Sequence, residues 1–332
     1  MACGVVFVTA VARPTLAPAQ IRDAPQKLTP REWAQIKPLF TLVEEVAAGT
    51  RAPSDGALAW QSHVLKTASN VLLVPFTFTI EKGQFTSFPV AMYLRVVSRG
   101  APAPAPGPRD PLARYPFEDA SVVVDVPEDG RISRAFVAPA GEWDVYVALR
   151  ESPGTDTPQP KAVVFKQPVS LPDVGSGLAV SSIIVAEKIE VESGKRRLNL
   201  EEQLNEPYML WGTRITPALG TRFGQSDTLS VVFLVYNAGT AAHDKPDVSV
   251  HYDFHQKIGA AEKFFGGTRP QLFNARTLRP EFSLAAGDLI IAGQDMPLAR
   301  FPEGDYRLEI TITDQSSGES LTRDVNFTVV GP

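Results

Sequence analysis

The strongest constraint on the fold lies near the C-terminus, where apolar and polar residues alternate over two successive segments. The apolar members of the first segment are Tyr306, Leu308, Ile310 and Ile312. After turn-forming residues at 314–318, the alternation resumes at Val325, Phe327 and Val329. Residues two apart in a strand lie on the same face, so the pattern predicts a hairpin with one buried and one solvated face. Such a hairpin must pack on a second sheet to be stable.

A segment upstream repeats the start of this hairpin. Residues 302–306 read P-E-G-D-Y and residues 139–143 read P-A-G-E-W, so proline, glycine and an aromatic residue recur 163 positions apart. Glycine accepts the positive φ that such turns often need, and the aromatic ring can fill the end of a β-sandwich core. Any turn before a strand can give this pattern by coincidence. The agreement of turn and alternation favours a repeat, and hence two similar sandwiches in tandem.

Composition limits the function classes. The chain has 332 residues, of which 44% are hydrophobic and 21% are charged, which suits a packed core. Its net charge is −5 and it has no long basic run, which argues against a nucleic-acid partner. Cys3 is the one cysteine, so no disulfide can form within the chain. No stretch approaches the roughly 20 apolar residues of a membrane span.

The N-terminal region predicts export. Residues 1–12 form a short apolar run that ends in an A-x-A pattern, as secretory signals do, although the usual basic segment is missing. A stray apolar N-terminus is the alternative. Export to the periplasm or the extracellular space is the favoured interpretation.

A helix is predicted next. Thr29, Pro30 and Glu32 form a helix-start pattern, and apolar residues then recur at helical spacing until Gly49, a plausible stop. Pro38 is expected to kink or split this helix.

Strand patterns divide the rest of the chain into two units. Candidate strands of the first unit lie at 58–66, 71–80, 88–98, 121–126, 131–137, 143–150, 162–169 and 178–186. Those of the second lie at 227–236, 247–255 and in the terminal hairpin. The Pro-rich segment 101–109 can be a linker or an SH3-type ligand, and we interpret it as a loop. Segment 257–280, rich in glycine, is predicted to be irregular.

The predicted fold is therefore mainly β, with two tandem Ig-like antiparallel β-sandwiches and a short N-terminal helix. The predicted divisions are a signal-like or disordered segment 1–28, a helical segment 29–56, a first sandwich 57–190, a linker 191–206 and a second sandwich 207–332.

His251, Asp253 and His255 form the one constellation that suggests metal binding. In a strand they share a face, and two imidazoles with a carboxylate can bind a transition metal. Alternate strand positions lie about 7 Å apart, which strains the outer pair as joint ligands. A polar, solvent-facing stripe is the favoured interpretation. We find no H-E-x-x-H, G-x-S-x-G, P-loop or C-x-x-C motif, and we expect no cofactor and no catalytic residue.

Two segments resemble known families. The tail P-E-G-D-Y-R-L-E-I-T-I-T-D-Q-S-S-G resembles the C-terminal β-sandwich region of exported bacterial von Willebrand A-related and G-W-x-T-D-type proteins. Residues 231–240, V-V-F-L-V-Y-N-A-G-T, are similar to the strand and turn of adhesion-type Ig-like modules. The resemblance implies an exported, non-catalytic Ig-like tandem. The chain has neither the D-x-S-x-S metal motif nor G-W-x-T-D, so no activity of those parts is carried over.

Three functions follow as hypotheses. The first is a non-catalytic structural or protein-interaction module of the bacterial cell envelope, whose partner is another envelope or secreted protein. The alternative is a carbohydrate-binding sandwich with exposed aromatic residues, for which the candidates are Trp60, Tyr208 and Trp211. These rings can equally belong to the core. The third is a hydrolase that uses a carboxylate pair with no recognisable motif.

Overall fold

The fold is mainly β, with several antiparallel sheets, as predicted. A computed structural model describes residues 28–54, 60–67, 71–81, 83–85, 89–101, 115–123, 128–152, 160–192, 198–210, 212–241 and 244–331. The signal-like residues 1–27 and residues 102–109 of the Pro-rich segment lie outside this part of the chain.

The described residues of the first half form one helix and eight strands. They are α1 (Pro30–Ala47), β1 (Trp60–Ser62), β2 (Leu65–Lys66), β3 (Leu72–Thr79), β4 (Val90–Ser98), β5 (Phe117–Val123), β6 (Arg131–Ala138), β7 (Gly141–Glu151) and β8 (Ala162–Leu171).

In the second half, the residues that the structure describes form a short helix and twelve strands, with a 3-10 turn at Leu298–Arg300. They are β9 (Ala179–Val180), β10 (Ile184–Val191), α2 (Leu200–Asn205), β11 (Met209–Leu210), β12 (Thr213–Pro217), β13 (Arg222–Gly224), β14 (Thr228–Tyr236), β15 (Val248–Ile258), β16 (Ala261–Gly267), β17 (Gln271–Phe273), β18 (Ile290–Pro297), β19 (Gly304–Asp314) and β20 (Ser320–Val330).

Helix α1 begins and ends as its sequence predicts. Thr29 Oγ1 accepts from the Glu32 amide at 3.3 Å, and the Glu32 carboxylate accepts from the Thr29 amide at 2.6 Å. At the other end Gly49 has φ 73°, and the amides of Gly49 and Thr50 donate to the carbonyls of Val46 and Glu45. This is a Schellman cap, which ends the helix at a glycine. The helix is not split at Pro38, which lies within it.

The described strands form four sheets. Sheet I contains β1, β2, β3 and β6, and sheet II has the order β5-β4-β7-β8. Sheet III has the order β11-β12-β10-β14-β18, with β9 also paired to β14. Sheet IV has the order β13-β20-β19-β15-β16, with β17 also paired to β15. The pairs are antiparallel except for β13 and β20, which run parallel.

The layers are stacked in the order α1, sheet II, sheet I, sheet III, sheet IV. One apolar cluster joins the inner face of sheet II, sheet I and one face of sheet III, and a second joins the other face of sheet III to sheet IV. A third joins α1 to the outer face of sheet II. Strand β3 is therefore buried on both faces, from Leu72 to Phe78.

The strand order repeats. Strands β4, β5, β7 and β8 of sheet II correspond to β15, β16, β19 and β20 of sheet IV, and the pair β3–β6 corresponds to β14–β18. The predicted local repeat coincides with this correspondence. Gly141 and Gly304 have φ 143° and 144° and begin β7 and β19. Trp143 donates to the Pro139 carbonyl at 3.0 Å, and Tyr306 donates to the Pro302 carbonyl at 2.8 Å.

Sheet membership changes between β8 and β9. Strand β9 and all but the last residue of β10 lie within the predicted first sandwich, 57–190, yet both strands pair with β14 of sheet III. Within the predicted linker 191–206, the described residues include helix α2.

Candidate functional site

The outer face of sheet IV differs from that of sheet II because nothing among the described residues covers it. Helix α1 covers sheet II with Ile36, Leu39 and Val43. On sheet IV the corresponding face carries polar side chains, and each lies at an exposed or half-buried position: His251, Asp253, His255, Arg307, Glu309 and Thr311. These residues alternate with the buried core residues of the same strands, as the sequence predicts.

Arg307 is the centre of an ion-pair network on this face. Its guanidinium lies 2.8 Å from Glu262 of β16, 2.6 Å from Glu309 of its own strand and 2.8 Å from Asp324 of β20. These hydrogen bonds raise the pKa of Arg307 above its ordinary value, with the bond to Glu262 contributing most. The network ties the edge strand β16 to the centre of the sheet.

Strand β16 is an exposed edge with apolar side chains. It pairs with β15, and no described strand pairs with its other side. Phe264 is 59% exposed and Ile258, at the end of the facing strand, is 57% exposed. The Phe264 ring lies 5.8 Å from that of His255, and Phe265 lies 4.6 Å from the ring of Phe301 on the opposite face. An open edge with exposed aromatic residues is a template for another strand.

Strand β16 and the segments that follow it carry cations, Lys263 on β16, Arg269 before β17 and Arg276 after it. Lys263, Arg269 and Arg276 are exposed, and none of them forms an ion pair with a described residue. The nearby carboxylate of Glu262 is already bound by Arg307. Lys263, Arg269 and Arg276 are therefore cations with no described carboxylate partner, although the neighbouring network holds three carboxylates on the one guanidinium of Arg307.

The weak metal candidates His251, Asp253 and His255 lie on β15, with the three side chains on the outer face of sheet IV. The described residues contain no group of three or more His, Cys, Asp and Glu side chains arranged to hold a metal ion. His255 instead packs against Phe264, and its Nε2 atom is buried with no hydrogen-bond partner in the described structure. Metal binding by His251, Asp253 and His255 stays the less favoured hypothesis.

The structure turns two of the candidate sugar-binding rings toward the interior. Tyr208 is 5% exposed, and its hydroxyl lies 2.9 Å from Nδ1 of His63. Trp60 is half-buried and stacks on Phe76, with ring centroids 4.3 Å apart. Trp211 lies outside the described residues. Neither described ring forms an exposed platform on which a sugar could stack.

The contact between His63 and Tyr208 belongs to the junction of sheets I and III. The amide of Val64 donates to Ser182 Oγ at 2.8 Å, and the amide of Lys66 donates to the Tyr236 hydroxyl at 2.9 Å. Burial lowers the pKa of His63 to about 4, so this imidazole is neutral at pH 7. The junction is therefore a packed, hydrogen-bonded interface.

The carboxyl groups with shifted pKa values do not resemble a general acid. Hydrogen bonds to Thr29 and to Arg307 lower the pKa values of Glu32 and Glu262 respectively. Burial opposes ionisation of Asp314, but hydrogen bonds from Gly239, Ser316 and Ser317 lower its pKa overall. A glycosidase acid needs a raised pKa. The hydrolase hypothesis gains no support from these groups.

Sequence reasoning missed the edge itself. The prediction that 257–280 is irregular is wrong, because β16 and β17 occupy part of it. Gly259 has φ 62° and lies in the β15–β16 turn, and a Cβ atom at Gly267 would lie 3.2 Å from the Tyr252 carbonyl oxygen. The glycines thus permit a tight turn and a close strand approach. The pair Phe264–Phe265 was the available signal for a strand.

Comparison of the chain with models of known protein families and with curated protein sequences gave no match. In the part of the chain that the structure describes, no helix combines the length and apolar character needed to cross a membrane.

Proposed function

We propose that the protein is a non-catalytic, exported bacterial interaction module that binds an extended strand of another envelope or secreted protein along β16. The exposed, apolar and unpaired edge of sheet IV carries this proposal. In β-strand addition, the main chain supplies hydrogen bonds and alternate side chains supply specificity.

We further infer that the two halves are Ig-like sandwiches. In an Ig domain the strand pair B–E lies in one sheet, and C, F and G lie in the other. The pairs β3–β6 and β14–β18 match B and E, while β4-β7-β8 and β15-β19-β20 match C, F and G. An Ig-type tyrosine corner, in which a Tyr at the start of F bonds back to the main chain, is matched by the bond from Tyr306 to Pro302.

The partner strand should combine apolar residues with carboxylates. Its apolar side chains would lie beside Phe264, which is 59% exposed on the outer face of the sheet. Its carboxylates would face Lys263, Arg269 and Arg276, which lack described ion-pair partners. A second copy of this chain is a poor occupant, since its β16 strand would offer the same lysine, Lys263, and no carboxylate that is free of Arg307.

Binding of designed peptides to the full chain tests the proposal. A fluorescent decapeptide of alternating Val and Glu should bind saturably by anisotropy, and one of alternating Val and Lys should not. Bound peptide should slow hydrogen exchange of the amides of β16. The Phe264→Ser variant should bind about thirtyfold or more weakly, because truncation of a central aromatic anchor costs about 2 kcal/mol or more.

The matched control is Ile291→Ser. Ile291 is an exposed apolar residue, 37% accessible, on β18, the edge strand of sheet III. This variant should retain the affinity of the wild type. Equal binding of the acidic and basic peptides, or equal losses in the two variants, would refute recognition at β16.

A further inference from the structure

A cleft of about 480 Å³ opens at the junction of the two halves, away from the edge of sheet IV. Its walls come from β2, α2, the end of β14 and the loop before β18. Ligand sites in proteins commonly have volumes of about 300–1,000 Å³ and lie between domains. The cleft is thus large enough for a small organic molecule.

The polar groups of the cleft leave one positive charge without a carboxylate partner. Lys66 Nζ donates to Asn237 Oδ1 at 2.8 Å and lies 3.4 Å from the Val174 carbonyl oxygen, both of which are uncharged acceptors. Asp288 also lines the cleft, but Arg279 binds its carboxylate at 3.0 Å. Lys66 forms no ion pair with a described residue, so the polar side of the cleft favours an anion.

Two further features define the ligand. The side-chain amide of Gln203 lines the cleft and has no hydrogen-bond partner among the described residues, so it can donate to the same anion. The rest of the wall is largely apolar and includes Met209, Leu284 and Leu289. Such a wall would bury a hydrocarbon or aromatic body.

We propose that this cleft binds a small organic monocarboxylate, with its carboxylate on Lys66 and its apolar body against the leucines. The site is independent of the strand-binding edge. Because Lys66 belongs to the first half, and Asn237 and Leu289 to the second, the ligand would contact both halves at once.

The test uses the full chain and three probes of one shape: 4-phenylbutyrate, the neutral 4-phenylbutanamide and the cationic 4-phenylbutylamine. Isothermal titration should give saturable binding of 4-phenylbutyrate and affinities at least about tenfold weaker for the other two, because a charge-assisted hydrogen bond is lost. Lys66→Met should weaken binding of 4-phenylbutyrate by about tenfold or more and leave that of the amide unchanged.

Two controls make the result decisive. Lys263→Met removes an exposed, unpaired lysine at the β16 edge and should leave 4-phenylbutyrate binding unchanged. Ala238→Phe places a ring at the cleft wall and should abolish binding of all three probes. No saturable binding of 4-phenylbutyrate, equal affinities for the three probes, or equal effects of the two lysine substitutions would overturn the proposal. If Lys66→Met fails to fold, the relative affinities of the three probes for the wild-type protein still test the proposal.

Discussion

Four strands of sheet IV have the strand order of sheet II, but the outer faces of the two sheets differ in polarity. At positions 163 residues apart in β7 and β19, sheet II carries Tyr146 and Ala148 where sheet IV carries Glu309 and Thr311. The first pair is buried beneath α1, and the second lies on the uncovered face. Strand order therefore does not determine whether a sheet is covered. The alternate residues that point away from the core determine it.

The two sheets also differ in the surroundings of one arginine each, Arg95 in sheet II and Arg307 in sheet IV. Arg95 of sheet II is 2% exposed, and its Nε donates to the Tyr93 hydroxyl at 2.9 Å, with Glu118 3.9 Å away. Arg307 of sheet IV holds three carboxylates at the surface. The buried network beneath α1 makes that face unavailable, whereas the surface network leaves the β16 edge accessible.

The largest expected effect tests whether α1 is an integral layer. Leu39→Ala should lower the free energy of unfolding by about 2–5 kcal/mol in urea titrations, because Leu39 is fully buried between α1 and sheet II. Thr311→Ala, on the uncovered face, should change it by no more than about 0.5 kcal/mol. Similar losses of unfolding free energy in the two variants would mean that the outer faces of sheets II and IV contribute equally to stability.

The second prediction concerns the junction of sheets I and III, where His63 is buried, rather than either outer face. The pKa of His63 is about 4 in the folded protein and has an ordinary value of 6.5 in the unfolded chain. As the pH falls, the unfolded chain therefore binds a proton at His63 before the folded protein does. The contribution of His63 to stability is complete above pH 6.5 and is lost as the pH falls through 4, by about 3 kcal/mol.

The free energy of unfolding should be measured for the wild type and for His63→Gln from pH 7.5 to 4. As the pH falls, the value for the wild type should decrease relative to that for the variant. Parallel pH profiles would show that His63 does not titrate differently on folding.

The third effect tests whether the two corners are equivalent. Gly141→Ala and Gly304→Ala should each cost about 1–3 kcal/mol, because both backbones occupy a region that L-residues with a Cβ atom avoid. Neither added Cβ meets a close contact, since the nearest atoms lie 3.6 and 3.5 Å away. Gly220→Ala, with open space around it, is the control and should be nearly neutral. Unequal losses at 141 and 304 would break the equivalence.

The smallest effect isolates one hydrogen bond of the second corner. Tyr306→Phe removes the bond to the Pro302 carbonyl but keeps the ring, and should cost about 1 kcal/mol in thermal or urea unfolding. An unchanged stability would indicate that this carbonyl finds another donor.

Local patterns predicted the local structure well. The capping box at Thr29, the stop at Gly49 and the buried face of β19 all follow from contacts within a few residues. The 163-residue repeat was visible because both corners need a glycine and an aromatic side chain at fixed spacing.

Longer-range features were not readable in this way. Tyr208 meets His63 across 145 positions, so its burial leaves no local signature. The run from Leu72 to Phe78 carries no alternation cue, because sheets lie against both of its faces. At the candidate edge, the glycines of 257–280 led to the prediction of irregular structure where β16 lies. The exposure of Phe264 could not be predicted either, because it depends on the absence of a neighbouring strand among the described residues.

The position of β3 between two sheets has a practical consequence. Cutting the chain between β8 and β9 would uncover one face of sheet I in one fragment and the matching face of sheet III in the other. Each fragment would then expose a broad apolar surface to water and would tend to aggregate when expressed alone. Although several strands of the two halves correspond in order, neither half can be transferred to another protein as a separate domain.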